Sequence, residues 1–230
     1  MRPLLLAEFL GTFMLVLAGT GAIVINDVSG GAITHLGIAI TFGMIVLAVI
    51  YAYGDVSGAH INPAVTIAFW AAKRFPGKQV LPYILSQCGG AITASLFLKL
   101  MFAEHQTLGV TVPSGSALQS FVLEVVLTWW LMTVILGVAE GAKEKGLVAG
   151  IVIGGVVLLE ALFAGPVSGA SMNPARSLGP ALVSFKLADV WIYIIATTAG
   201  ALLAVWSCRF VRGQDCCVPK IVADSEVVRR

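Results

Sequence analysis

Apolar residues run along this chain in six long stretches, roughly 4–26, 33–53, 80–101, 118–139, 147–165 and 188–210. About 20 apolar residues of helix cross the ~30 Å hydrocarbon core of a bilayer, so the pattern predicts six transmembrane helices. The first stretch, Leu4 to Ile25, is interrupted early by Glu8. It is also longer than the ~7–15-residue apolar core of a signal peptide, so it reads as a span. Two shorter apolar pieces, about 62–72 and 173–183, break the pattern. Helix rises about 1.5 Å per residue, so each piece spans about half the hydrocarbon layer, and two placed end to end would cross it once.

Each short piece opens on the same tripeptide, Asn62-Pro63-Ala64 and Asn173-Pro174-Ala175. The tripeptides lie within longer echoes, Ser57-Gly-Ala-His-Ile-Asn-Pro-Ala-Val65 and Ser168-Gly-Ala-Ser-Met-Asn-Pro-Ala-Arg176, identical at six of nine positions. The chain therefore divides into two repeats, about 4–101 and 118–211, within a single membrane domain of residues 1–230 that ends in a tail, 212–230. Each repeat holds three spans, an odd number, so the second enters from the opposite face and the repeat is inverted. A carboxylate stands at matching places in the two halves, Glu8 before Thr12 and Glu124 before Thr128. An ionisable group at membrane depth is costly and faces the bundle interior. No nucleophile or ligand set accompanies the pair, so Glu8 and Glu124 read as acceptors for backbone N–H groups of the irregular loops, not as an acid–base couple.

Composition agrees: 58 % of residues are hydrophobic and 11 % charged, against about 25 % charged in soluble domains. The formal net charge of +2 points to no nucleic-acid partner. Eleven of the 14 basic residues (Arg2, Lys73, Arg74, Lys78, Lys143, Lys145, Arg209, Arg212, Lys220, Arg229 and Arg230) fall on one side of a six-span layout. That excess predicts a multi-pass cell-membrane protein with both termini cytoplasmic. Cys88, Cys208, Cys216 and Cys217 show no metal spacing, and neither metal nor cofactor is expected. No structural disulfide is expected, since the tail thiols lie where cysteines stay reduced; lipidation of Cys216 and Cys217 is the alternative.

Asn is a preferred helix N-cap and Pro a preferred first helical residue, so each tripeptide starts a helix. Capping occupies the amide oxygen and leaves the NH2 group, a double donor, free to point elsewhere. Two such helices meeting tip to tip would set Asn62 and Asn173 side by side near the bilayer centre. There they could donate together to one water, whose hydrogens would then point away along the passage. The two positive helix ends would repel cations, a selectivity device known from membrane pores.

On these residues the chain resembles the aquaporin, or major intrinsic protein, family, over residues 4–211. The segment Gly165-Pro-Val-Ser-Gly-Ala-Ser-Met-Asn-Pro-Ala-Arg-Ser-Leu-Gly-Pro-Ala181 is most like nodulin-like intrinsic proteins and their bacterial relatives. The resemblance implies an all-α hourglass fold of six transmembrane helices and two re-entrant half-helices, homotetramers with one pore per subunit, and passive flux of water or small uncharged solutes. It also implies a four-residue filter, at Phe42, Ala161, Ala170 and Arg176. Arg176 stands where the first copy of the motif has Val65.

Ala161 departs from strict water channels, which resembling sequences give a histidine there. With Ala170 also small, the filter is expected to be wide and half apolar. It would then admit glycerol-type solutes or boric, arsenous or silicic acid as well as water. Ser177 replaces the Asp usual in glycerol facilitators, and Ile194, after Tyr193, replaces one of a paired set of aromatics in water channels. Asp55 stands where relatives have His and reads as a solvated residue at the cytoplasmic mouth. Glu160, beside Ala161, is either buried and paired or in touch with the lumen. His35 and His60 read as loop or lumen polar residues. The competing expectations are a strictly water-selective channel and, from another class, a secondary transporter, which also uses inverted repeats and broken helices. Against the transporter stands the lack of an evident coupling-ion cluster, and no enzyme is expected.

Overall fold

The protein is described by a computed structural model covering residues 1–139 and 143–216. Cys217, Lys220, Arg229, Arg230 and the rest of the tail beyond 216 lie outside the described residues, as do the side chains of Lys143 and Lys145. The described residues form eight α-helices and no strand: α1 (Arg2–Val28), α2 (Thr34–Ser57), α3 (Pro63–Ala71), α4 (Gly77–Met101), α5 (Ala117–Val138), α6 (Lys143–Ser168), α7 (Pro174–Ser184) and α8 (Val190–Arg212). Six of these are long and apolar enough to cross a membrane. The all-α class and the six-plus-two arrangement are those expected from the apolar pattern. The helices overrun the apolar runs: α2 continues to Ser57 and α6 includes Lys143. Polar helix ends project beyond the hydrocarbon, where hydropathy carries no signal of them.

The short helices obey local chemistry. The Asn62 side chain accepts from the amides of Ala64 and Val65, at 2.9 and 3.4 Å. Asn173 does the same for Ala175 and Arg176, at 3.0 and 3.4 Å. Pro follows each cap, at a position whose N–H has no helical acceptor. With nine residues in α3 and eleven in α7, neither reaches across a bilayer at about 1.5 Å per residue.

Helix α1 packs on α4, α5 on α8 and α2 on α6, while α3 packs on α8 and α7 on α4. Lipid gives these helices no hydrophobic reason to associate, so close backbone approach through small residues matters. A β-carbon added to Gly90 would strike the Phe9 carbonyl, and one added to Gly200 would strike the Val125 carbonyl. At the α2–α6 crossing, β-carbons on Gly43 and Gly154 would each come within 2.6 Å of the other's carbonyl oxygen. Outside, large apolar side chains such as Leu81, Leu85, Leu100 and Trp206 are exposed, while Glu8, Thr12, Gln87, Glu124 and Thr128 are buried. This is the polarity of a bundle solvated by hydrocarbon.

The cysteines correct an expectation. Cys208 and Cys216 form a disulfide, with Cα atoms 5.9 Å apart, although none was expected. Helix α8 ends at Arg212, and its C-cap Gly213, with φ of 60°, turns the chain into a short 3₁₀ turn, Gly213–Cys216. That reversal brings Cys216 back against α8, and Arg74 fixes it by donating from Nε to the Cys216 carbonyl at 3.0 Å. Eight residues of separation along a helix would instead have placed the two sulfurs about 12 Å apart.

Candidate functional site

Both half-helices are entered by loops of the same backbone shape. Gly58, Ala59 and Ile61 have φ of 83°, 44° and 43°; Gly169, Ala170 and Met172, 111 positions later, have 84°, 41° and 54°. Left-handed φ is costly for residues with a β-carbon, by roughly 1–3 kcal/mol where the surroundings impose it. Two buried carboxylates impose it here. Glu8 accepts from Ser57 Oγ (2.7 Å) and the His60 amide (2.9 Å) on one oxygen, and from the Ile61 amide (2.7 Å) and Gln87 Nε2 (2.8 Å) on the other. Glu124 accepts from Ser168 Oγ (2.8 Å) and the Ser171 amide (2.8 Å), and from the Met172 amide (2.9 Å). Tyr83 and Tyr193 complete the frame by donating to the Ser57 and Ser168 carbonyls, at 3.0 and 2.7 Å. Every oxygen of both carboxylates is taken by structural donors.

At the loop ends the two asparagines do more than cap. Asn62 Nδ2 donates to the Met172 carbonyl at 2.7 Å, and Asn173 Nδ2 donates to the Ile61 carbonyl at 2.9 Å. Each half thus clasps the other. The NH2 groups are therefore not wholly free, as capping alone implied: one hydrogen of each ties the halves together, and an amide nitrogen carries two. The second hydrogen of each takes no part in the clasp.

Asn62 and Asn173 lie on the wall of a cavity of about 530 Å³. The same wall includes Phe42, Asp55, His60, Phe69, Arg74, Ala170 and Arg176. Arg176 is 2 % exposed. Its Nη1 donates to the Gly109 carbonyl at 2.8 Å, and its guanidinium carbon sits 5.1 Å from the centre of the Phe42 ring. A guanidinium has five N–H donors, and the bond to Gly109 uses one of them. Val157 lines the cavity, whereas Ala161, one turn further along α6, is buried and is not among the lining residues.

Among the other polar candidates, His60 packs against the rings of Phe69, Phe75 and Tyr83 and shares a hydrogen bond of 3.1 Å with Thr66 Oγ1. His35 Nε2 bonds the Leu162 carbonyl at 2.6 Å. Asp55 is exposed. Ile194 is 39 % exposed and is not among the residues that line the cavity. Glu160 is fully buried, and neither carboxyl oxygen has a partner among the described residues. It is thus buried, as one expectation had it, but unpaired. An unpartnered buried polar group costs about 1–3 kcal/mol. Glu160→Met is therefore expected to raise the thermal unfolding temperature of the detergent-solubilised protein, and a lowered temperature would contradict that accounting.

Several residues at the site carry no sequence signal. Gly109 and Thr111 belong to the polar connection between the halves, yet Gly109 holds Arg176 and Thr111 Oγ1 donates to Ser177 Oγ at 2.7 Å. Ser177 in turn shares a 2.6 Å bond with Ser171.

With this geometry, likeness to known proteins is informative. The profile of the family described as "Major intrinsic protein" matches residues 2–207. Aquaporin NIP1-4 of Oryza sativa subsp. japonica is 49 % identical over 210 residues, covering 91 % of this chain and 77 % of its own. Nodulin-26 of Glycine max is 46 % identical over 212 residues, covering 92 % and 78 %. Among solved structures, the aquaglyceroporin from Plasmodium falciparum superposes with a TM-score of 0.80 at 25 % identity, covering 88 % of this chain and 93 % of that one. The duplicated, carboxylate-braced loops, the paired Asn caps and these likenesses agree, and the chain belongs to the major intrinsic protein family.

Proposed function

We propose that this protein is a passive channel for water and small uncharged solutes, of the glycerol or metalloid-acid type, that excludes protons and ions. The observation that carries the reading is the head-to-head clasp of Asn62 and Asn173 on the wall of a cavity that Arg176 also lines. The motif residues Asn62, Pro63, Ala64, Asn173, Pro174 and Ala175 form the central donors and the helix starts that hold them. A water reaching the centre accepts from the remaining hydrogen of each amide and is turned so that it cannot relay a proton. The positive ends of α3 and α7 add a barrier to cations. Phe42, Ala161, Ala170 and Arg176 form the filter, with Arg176 donating to solute hydroxyls. Two alanines leave it wider than a strict water channel's. Glu8 and Glu124 act on the loops and not on solute.

The inverted repeats, about 4–101 and 118–211, make one domain working as a homotetramer in the cell membrane, with the basic-rich face and both termini cytoplasmic. Proteoliposome fluxes of water, glycerol, urea and boric acid, measured in parallel, test the reading. Water flux without glycerol flux would replace it with a strictly water-selective channel, and saturable, gradient-coupled uptake with a transporter. Within the proposal, Ala161→His refills the constriction and is expected to cut glycerol permeation more than water permeation in stopped-flow assays. Equal loss of both would remove Ala161 from the filter.

A further inference from the structure

The connection between the halves delivers a backbone carbonyl to Arg176, and a half-buried histidine holds that connection in shape. The side chain of His105 is only 9 % exposed. Its Nδ1 accepts from the amides of Thr107 and Leu108, at 3.4 and 3.0 Å, and its Nε2 lies 3.2 Å from Asp27 Oδ2 at the end of α1. Amide N–H groups only donate, so Nδ1 carries the lone pair, Nε2 carries the hydrogen, and the carboxylate of Asp27 accepts it. The tautomer is set by the partners on both sides of the ring.

The turn so gathered is an unusual one. Leu108 and Gly109 have φ of 53° and 72°, and Leu108 is fully buried. Gly109 is pressed against α1: a β-carbon there would lie 2.9 Å from Thr20 Cβ. The carbonyl of that same Gly109 accepts from Arg176 Nη1 at 2.8 Å. Asp27, His105, the 107–109 turn and Arg176 therefore form one continuous line of polar contacts from the end of the first span to the cavity wall.

We propose that His105, oriented by Asp27, is a positioning residue for solute selection: it fixes the turn whose Gly109 carbonyl pins Arg176, a role that rests on Arg176 being a filter residue. It does not touch solute. Without it, the turn loses the acceptor for two amides, Gly109 loses its fixed place, and the guanidinium is free to swing off the aperture. Discrimination falls while the conduit itself persists.

The ring's essential atom is the Nδ1 acceptor, and asparagine can supply its equivalent. An Asn side-chain oxygen reaches the amides two and three residues on, as Asn62 already does here toward Ala64 and Val65, at 2.9 and 3.4 Å. The test is the glycerol-to-water flux ratio of full-length protein in liposomes, for the unaltered chain, His105→Phe and His105→Asn. The ratio is expected to rise roughly twofold or more in His105→Phe. In His105→Asn it is expected to return to the unaltered value. A ratio unchanged in His105→Phe, or raised equally in both variants, overturns the positioning role alone. No flux in the unaltered protein would overturn the channel reading and this proposal with it. Should His105→Phe fail to reconstitute, Asp27→Leu at a half-exposed position carries the test: a raised ratio supports the proposal, an unchanged one overturns it.

Discussion

Glu124→Leu is expected to abolish a stable fold in detergent. Leucine matches the volume but accepts nothing, so the Ser171 and Met172 amides and the Ser168 hydroxyl lose their partner at membrane depth. Each orphaned buried group costs roughly 1–3 kcal/mol, so the total is on the order of 5 kcal/mol. The loss falls on Ala170 and Met172, whose left-handed backbone already requires support. Glu124→Gln retains one acceptor oxygen but turns an NH2 toward an N–H, and should fall between the two. Folded yield and thermal unfolding by size-exclusion chromatography would show the order unaltered, Gln, Leu. A Glu124→Leu protein as stable as the unaltered chain would mean that the carboxylate does not hold the loop. Glu8→Leu is expected to do likewise, with one of the two Gln87 Nε2 bonds lost as well and the other, to Thr66 Oγ1, kept.

What could be read from the chain follows the range of the forces involved. Helix existence is local: an apolar run of span length, or an Asn-Pro start before a short one, carries its own signal, and α3 and α7 begin at Pro63 and Pro174 next to the expected caps. Glu8 and Glu124 were conspicuous because a carboxylate at that depth needs a reason. Residues whose meaning depends on a distant partner were not legible. Nothing near Asn62 says that its second donor goes to Met172, and nothing near His105 says that its turn serves Arg176. The Cys208–Cys216 bond needed the reversal at Gly213. Glu160 is the reverse case: its sequence position flagged it, and the described residues around it offer it no partner.

Arg176→Val is expected to convert a selective aperture into a leaky one. The second half would then carry what the first already carries at Val65. Three things go at once: the donors available to solute, the bulk beside Phe42, and the fixed positive charge. A unit charge about 5 Å from a passing cation, at an effective dielectric of about 20, opposes it by about 3 kcal/mol. Removing the charge should raise cation crossing by a factor on the order of 10², with glycerol and urea flux rising together. Gly109 loses its donor too, but its connection stays anchored by His105 and by Thr111 on Ser177, so the fold should survive. Ion-selective dyes in proteoliposomes, beside stopped-flow solute fluxes, separate the effects. If cation leak stays at the unaltered level while neutral solutes speed up, exclusion of charge rests on the helix ends at Asn62 and Asn173, and Arg176 only sizes the opening.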